Sequence, residues 1–193
     1  MKILVVAPHG DDGTIACGGS MAKWIGQGHK IHYHVFYTVH QAEVFDALQV
    51  IGDIPITWEV EYEIRNFSEN RQKILDMLLN EKKDLNPDLV VAPCPKDIHQ
   101  DHSVISQEVL RAFKDRSILG YEMPWNNVSI DTECFVALGA EDMVKKVDSV
   151  SKHKSQSGKP YTDPDFLRSW ARTRGMQIGK PYAEVFEVVR WIL

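Results

Sequence analysis

Short apolar runs and amphipathic stretches alternate along almost the whole chain, and that alternation leaves few folds open. "KILVVAP" begins it with a nearly unbroken run of branched side chains, the pattern of a strand buried on both faces of a parallel sheet. From Thr14 to Gln27, the residues Ile15, Met21, Ala22, Trp24 and Ile25 fall at helical spacing, and Gly26 and Gly28 end the segment. "KIHYHVFYTV" predicts a second strand, "QAEVFDALQVIG" a helix that stops at Gly52, and "ITWEVEYEI" a third strand. A helix over "SENRQKILDMLLNEKKDL", with Ser68 as its cap, and a buried strand at "PDLVVAPCP" keep the order. Beyond them come a loop opening into a helix at "HQDHSVISQEVLRAFK", short strands at "SILGYEMP" and "CFVALG", and a helix from about Ala140 to Lys154. A helix in "DPDFLRSWARTRGMQIG" that stops at Gly179 and a terminal strand at "AEVFEVVRWIL" complete the chain. The pattern predicts an α/β fold, a Rossmann-like three-layer sandwich with a mostly parallel sheet. With 193 residues and no repeat or linker, one domain over 1–193 is the expectation.

Composition narrows the function classes. Hydrophobic residues make up 44% and charged residues 25%, which excludes a disordered or fibrous chain. The net charge of −5, without a lysine or arginine run, argues against nucleic acid as a partner. Cys17, Cys94 and Cys134 are odd in number and far apart, unlike a disulfide framework or a thiolate zinc site. Met1 and Lys2 lead directly into a strand and no stretch is long enough to span a bilayer, so the expected location is cytoplasmic.

Two strands end in polar clusters: His9, Asp11 and Asp12 after the first, His99, Asp101 and His102 after "PDLVVAPCP". In open α/β sheets the ligand site lies beyond the carboxyl ends of the strands, so the fold can bring these clusters together. Two imidazoles and a carboxylate, with a position left for water, form the donor set of a catalytic zinc or related divalent ion. Taken singly, each residue is better explained as an ordinary loop or capping residue; for the two clusters together the balance reverses. Gly18 and Gly19 lack the G-x-G-x-x-G spacing of a dinucleotide site and are read as close helix packing.

At these residues the chain resembles a known family. "PHGDDGTIACGG" is similar to the "HPDDE…GG" signature, and "HQDH" to the "HxDH" signature, of the PIG-L/LmbE-like N-acetylglucosaminyl deacetylases, zinc-dependent amide hydrolases with a Rossmann-like fold. "AEVFDALQVIG", "NPDLVVAP", "GYEMPW", "KHKSQ" and "RTRGMQIGKPYAEVFEVVR" resemble the family's other recurring segments in the same order. The resemblance implies one LmbE-like deacetylase domain, with His9, Asp12 and His102 holding zinc or another divalent transition metal. It implies Asp11 as the general base that activates the water on that metal, and a charged His99 facing the reacting carbonyl, oriented by Asp101. The implied substrate is an N-acyl amino sugar or a glycoconjugate bearing one, losing an acetyl or similar short acyl group.

Substrate contacts are less constrained. His153 in "KHKSQ" falls in a family-like segment, yet also suits the end of a helix dipole. Arg65 is either a ligand for a sugar hydroxyl or phosphate or a solvated charge, and Trp125 either a platform for a pyranose face or a packed loop residue. His32 and His34, alternating on one strand face, are read as structural, and His40 as a loop residue bordering the pocket at most. The chain is short for the family, which leaves room for a second copy to complete the pocket in a homo-oligomer. Gly10 stands where the family usually has proline and Gly13 where it has glutamate, so the loop is expected to be looser and to lack one anionic partner. Those departures motivate one rival, a catalytically degenerate LmbE-like sugar-binding protein; the fold and the glycines motivate another, a nucleotide-dependent oxidoreductase.

Overall fold

A computed structural model describes residues 1–59 and 62–192. Among the described residues, seven strands form one sheet: β1 (Lys2–His9), β2 (Lys30–Tyr37), β3 (Ile56–Trp58), β4 (Leu89–Pro93), β5 (Ser117–Tyr121), β6 (Cys134–Leu138) and β7 (Tyr182–Arg190). Their spatial order is β3-β2-β1-β4-β5-β7-β6, with β1 to β5 parallel and β7 antiparallel to both of its neighbours. The α-helices of the described residues cover the sheet: α1 (Asp12–Gly26), α2 (Gln41–Ile51), α3 (Arg71–Leu85), α4 (Gln100–Ala112), α5 (Ala140–Val150) and α6 (Pro164–Met176).

Side-chain alternation in β1 explains the three layers. Ile3, Val5 and Ala7 pack with residues of α1 and α2, while Leu4 and Val6 pack with residues of α3 and α4. Burial on both faces is why the strand reads as a continuous apolar run. A third cluster joins Ile15 of α1 and Leu138 of β6 to α5 and α6, extending the first layer over the antiparallel end of the sheet. The glycine pair in α1 serves this packing unequally. A Cβ on Gly18 would meet Lys146 and Ile51 at 3.5 Å or more, ordinary contact, whereas one on Gly19 would lie 2.5 Å from Leu138 Cδ1.

Some elements differ from expectation. Ser68 does not cap a helix: it lies in a 3₁₀ turn over Phe67–Asn70, and α3 starts after Asn70. The third strand covers only Ile56–Trp58 of "ITWEVEYEI", of which Val60 and Glu61 lie outside the described residues, as does Leu193 of the terminal strand. The helix expected to reach Lys154 ends at Val150, followed by a 3₁₀ turn at Lys154–Gln156. Among the described residues, no helix is long and apolar enough to cross a membrane.

Strand order reverses around β1. The chain proceeds from β1 to β2 on one side, then returns to place β4 on the other, which opens a crevice beyond the carboxyl ends of β1 and β4. Both polar clusters of the sequence sit at that crevice.

Candidate active site

His9 is the last residue of β1, and Asp11 and Asp12 start α1. His99 occupies the N-cap of α4, and Asp101 and His102 its first turn. The side chains of His9, Asp12 and His102 converge: His9 Nδ1 lies 3.2 Å from Asp12 Oδ2, His102 Nε2 lies 3.1 Å from the same oxygen, and the two imidazole nitrogens are 3.4 Å apart. Ligands at the usual zinc distances of about 2.0–2.1 Å in a tetrahedron are separated by roughly 3.3 Å, so this triangle matches one tetrahedral face.

Each converging imidazole has a carboxylate behind it. His102 Nδ1 donates to Asp97 Oδ2 at 2.7 Å, and His9 Nε2 donates to Asp101 Oδ2 at 3.1 Å. Such outer carboxylates set tautomer and ring orientation in histidine metal sites. Asp97, only 4% exposed, also accepts the His99 backbone N–H at 2.8 Å. Sequence reasoning missed it; the signal available was an aspartate five residues before His102, hidden among the turn residues of "PKDIHQ".

Asp101 reaches His99 through its backbone rather than its carboxylate. Its carboxylate takes His9 Nε2 and the Arg65 backbone N–H, the latter at 2.7 Å, while its own N–H donates to His99 Nδ1 at 3.2 Å. His99 Nδ1 is therefore an acceptor, which leaves the ring proton on Nε2. Nor is the charged form of His99 favoured. Burial lowers its pKa, the neighbouring His102 and His9 lower it further, and Asp101 only partly offsets them.

The adjacent aspartates differ in titration. For Asp12, burial acts upward, but the fields of His102 and His9 and their hydrogen bonds outweigh it and hold the carboxyl well below its ordinary value. For Asp11, burial and the charge of Asp12 raise the pKa to about 6. Burial opposes the charged forms of His9 and His102. Asp12 with Asp101 for one, and Asp12 with Asp97 for the other, overcome that and raise them to about 9 and about 10. Both imidazoles are thus held in their protonated forms beside the ionised Asp12.

A cavity of about 460 Å³ opens over these groups, lined also by Tyr37, His40, Glu43, Trp125, His153 and Tyr161 among others. That size suits a small ligand. Trp125, 39% exposed, stacks on Tyr161 at 4.7 Å between ring centroids. His153 Nε2 lies 2.9 Å from Thr14 Oγ1, whose proton goes to the Asp11 carbonyl at 2.8 Å, so the imidazole donates. Burial lowers the His153 pKa to about 4, which keeps it neutral. Arg65 contributes its backbone N–H, held at φ 69°, and its side chain is not among the groups lining the cavity. His32 and His34 face α3, where His32 meets Thr57 and Glu81, and His34 lies between Glu59 and Glu81.

The loop carrying His9 to Asp12 is tightly held, contrary to the looseness expected from its glycines. A Cβ on Gly10 would run into Val44 and lie 3.1 Å from Thr38 Oγ1. A Cβ on Gly13 would lie 2.5 Å from the Tyr33 ring and 2.6 Å from its hydroxyl. That hydroxyl, on a fully buried side chain, donates to Gly10 O at 3.2 Å and accepts the Gly13 N–H at 3.0 Å.

The sequence profile of the PIG-L family, described as GlcNAc-PI de-N-acetylase, matches residues 4–113, which include both clusters. The chain belongs to the PIG-L family. A curated relative, the uncharacterized deacetylase YaiS of Escherichia coli K12, is 26% identical over 177 residues, covering 79% of this chain and 90% of the relative. N,N'-diacetylchitobiose deacetylase from Pyrococcus horikoshii superposes with a TM-score of 0.76 at 21% identity, over 97% of this chain and 83% of its own. The 4-carboxy-2-hydroxymuconate hydratase of Pseudomonas putida superposes with a TM-score of 0.79 at 15% identity, over 100% and 97%. A deacetylase and a hydratase thus share this fold, so fold alone does not choose the reaction. Membership of PIG-L, a de-N-acetylase family, places the chain among deacetylases.

Proposed function

We propose that this PIG-L chain is a metal-dependent hydrolase that removes an N-acetyl or similar short acyl group from an amino sugar or a glycoconjugate carrying one. The observation that carries the reading is the triangle of His9 Nδ1, Asp12 Oδ2 and His102 Nε2 in the cavity wall. These three atoms would hold zinc or a related divalent transition metal, for which imidazole and carboxylate are suitable donors. When bound, such an ion supplies Lewis acidity and lowers the pKa of water from roughly 15.7 toward about 7.

Within this reading Asp11 is the general base. Raised to about 6, it is ionised at neutral pH yet basic enough to take a proton from the attacking water. His99 Nε2–H donates to the acyl oxygen as negative charge develops there, acting as a neutral donor. The proton on Asp11 then passes to the departing nitrogen, which leaves as the free amine, with acetate as the other product. Asp97 and Asp101 keep the rings of His102 and His9 aimed at the shared position. Trp125 offers an aromatic face to the sugar, His153 holds Thr14 under the Asp11 backbone, and Arg65 fixes Asp101 through its N–H.

The test is amine release from a panel of N-acetylated mono- and disaccharides, with divalent metal added back to chelator-treated protein. Release that depends on metal and disappears in His102→Ala supports the proposal. Release that persists undiminished without metal rejects it.

A further inference from the structure

Asp11 sits at the N-cap of α1, where an aspartate ordinarily turns its carboxylate onto the free N–H groups of the first helical turn. Here it makes no such bond. The Gly13 N–H, one of the donors without an intrahelical partner, is taken instead by the Tyr33 hydroxyl from the neighbouring strand. We infer that Tyr33 caps helix α1 in place of Asp11, and that this substitution is what leaves the Asp11 carboxylate available to the cavity.

Three features of the geometry converge on this arrangement. The hydroxyl bridges the carbonyl of Gly10 and the amide of Gly13, the two backbone groups that flank the aspartate pair, so it closes the loop from behind. A side chain at position 13 would begin within 2.6 Å of that hydroxyl, so glycine there admits the tyrosine. The remaining duties around Asp11 are also met by others: Thr14 Oγ1 donates to the Asp11 carbonyl, and the Ile15 N–H bonds the same carbonyl at 3.0 Å. Tyr33 is a positioning residue acting through Asp11; it does not line the cavity.

The inference rests on Asp11 being the base of the proposed reaction only for its effect on rate; the capping itself is read separately. The first measurement is amide hydrogen exchange at Gly13 in the metal-free protein. Asp11→Ala alone should leave Gly13 protected, because Tyr33 is the cap. Tyr33→Phe should lose part of the protection, because Asp11 can turn back onto the amide, and Tyr33→Phe/Asp11→Ala should lose far more. If Asp11→Ala alone exposes Gly13 as much as Tyr33→Phe does, the capping assignment is overturned.

The second measurement is turnover of an N-acetylated sugar at saturating metal. Tyr33→Phe should lower kcat by at least about tenfold, a fraction of what a general base contributes, with KM and metal content near wild type. In an Asp11→Asn background the same change should have almost no further effect, since the group it acts through is gone. A purely structural role predicts equal losses in both backgrounds, and that result overturns the inference. Wild type that releases no amine, combined with the expected exchange pattern, would sink the deacetylase reading and leave Tyr33 as the cap.

Discussion

Asp11 and Asp12 are neighbours in sequence, yet burial and charge push their affinities for protons in opposite directions. Asp12 faces two imidazoles and stays ionised; Asp11 has mainly Asp12 and low-dielectric surroundings to respond to. Such separation of adjacent carboxylates is what the proposed reaction asks of one loop, a fixed anion in Asp12 and a base in Asp11. The expected outcome is an acidic limb in kcat/KM at or below about 6, since a bound cation would lower Asp11 from its metal-free value. Activity should fall as pH drops through that limb, because the base must be unprotonated. Asp11→Asn should keep the fold and the metal while lowering turnover by at least about 100-fold. Turnover close to wild type in that variant would remove Asp11 as the base. At this scale the convergence of His9, Asp12 and His102 was legible, because residues that follow parallel strands meet at one edge of the sheet. Asp97 and Tyr33 were not. One hides among turn residues, and the other is an aromatic in an alternating strand, where its ring explains it completely until the hydroxyl's partners are known.

Helix α1 carries the site at one end and a break in its middle. Cys17 has non-helical angles, φ −135° and ψ 26°, so the second half of the helix begins with free donors of its own. Glu184 of β7 accepts two of them, Gly19 N–H at 3.1 Å and Ser20 N–H at 2.6 Å, and is neutralised by the buried Lys146 of α5 at 2.5 Å. The break therefore has a partner 165 positions away, beyond the reach of local sequence patterns. The same non-local character explains why β7, readable as a strand, gave no sign that it inserts antiparallel between β5 and β6. By contrast, β1, β2, β4 and the helices between them are set by local periodicity and were read correctly in kind. Lys146→Met should cost about 3–5 kcal/mol, since it leaves Glu184 buried without its counter-charge. Gly19→Ala should cost about 1–3 kcal/mol by forcing Leu138 aside, whereas Gly18→Ala, with contacts at ordinary distance, should cost far less. Urea midpoints of the three variants check this; equal losses for the two glycines would contradict the packing argument.

At the scale of the whole molecule, the proposed metal site ties the end of β1 to the start of α4, between residues 93 positions apart. In the metal-free chain the same junction is held by charge: His9 raised to about 9 and His102 to about 10, around an ionised Asp12. A group whose folded pKa exceeds its unfolded value stabilises fully below the unfolded value, near 6.5 for histidine, and that contribution fades as pH rises through the folded value. The metal-free protein should therefore lose stability between about pH 6.5 and 10. A bound ion takes the nitrogens that would otherwise hold those protons, so its affinity should rise over the same interval. The ion also stabilises the folded chain by mass action, by about 2.7 kcal/mol when its free concentration is 100 times Kd. The gap in Tm between metal-loaded and metal-free protein should thus widen from pH 6 through 7.5 to 9, because the falling stability of the metal-free form and the rising metal affinity are one proton linkage seen from its two ends. Calorimetry in buffers of different ionisation enthalpy should find protons released on metal binding at pH 7.5, where both imidazoles are still protonated in the metal-free form. A Tm gap that narrows with rising pH, or binding without proton release, would mean that the ion sits elsewhere than between His9 and His102.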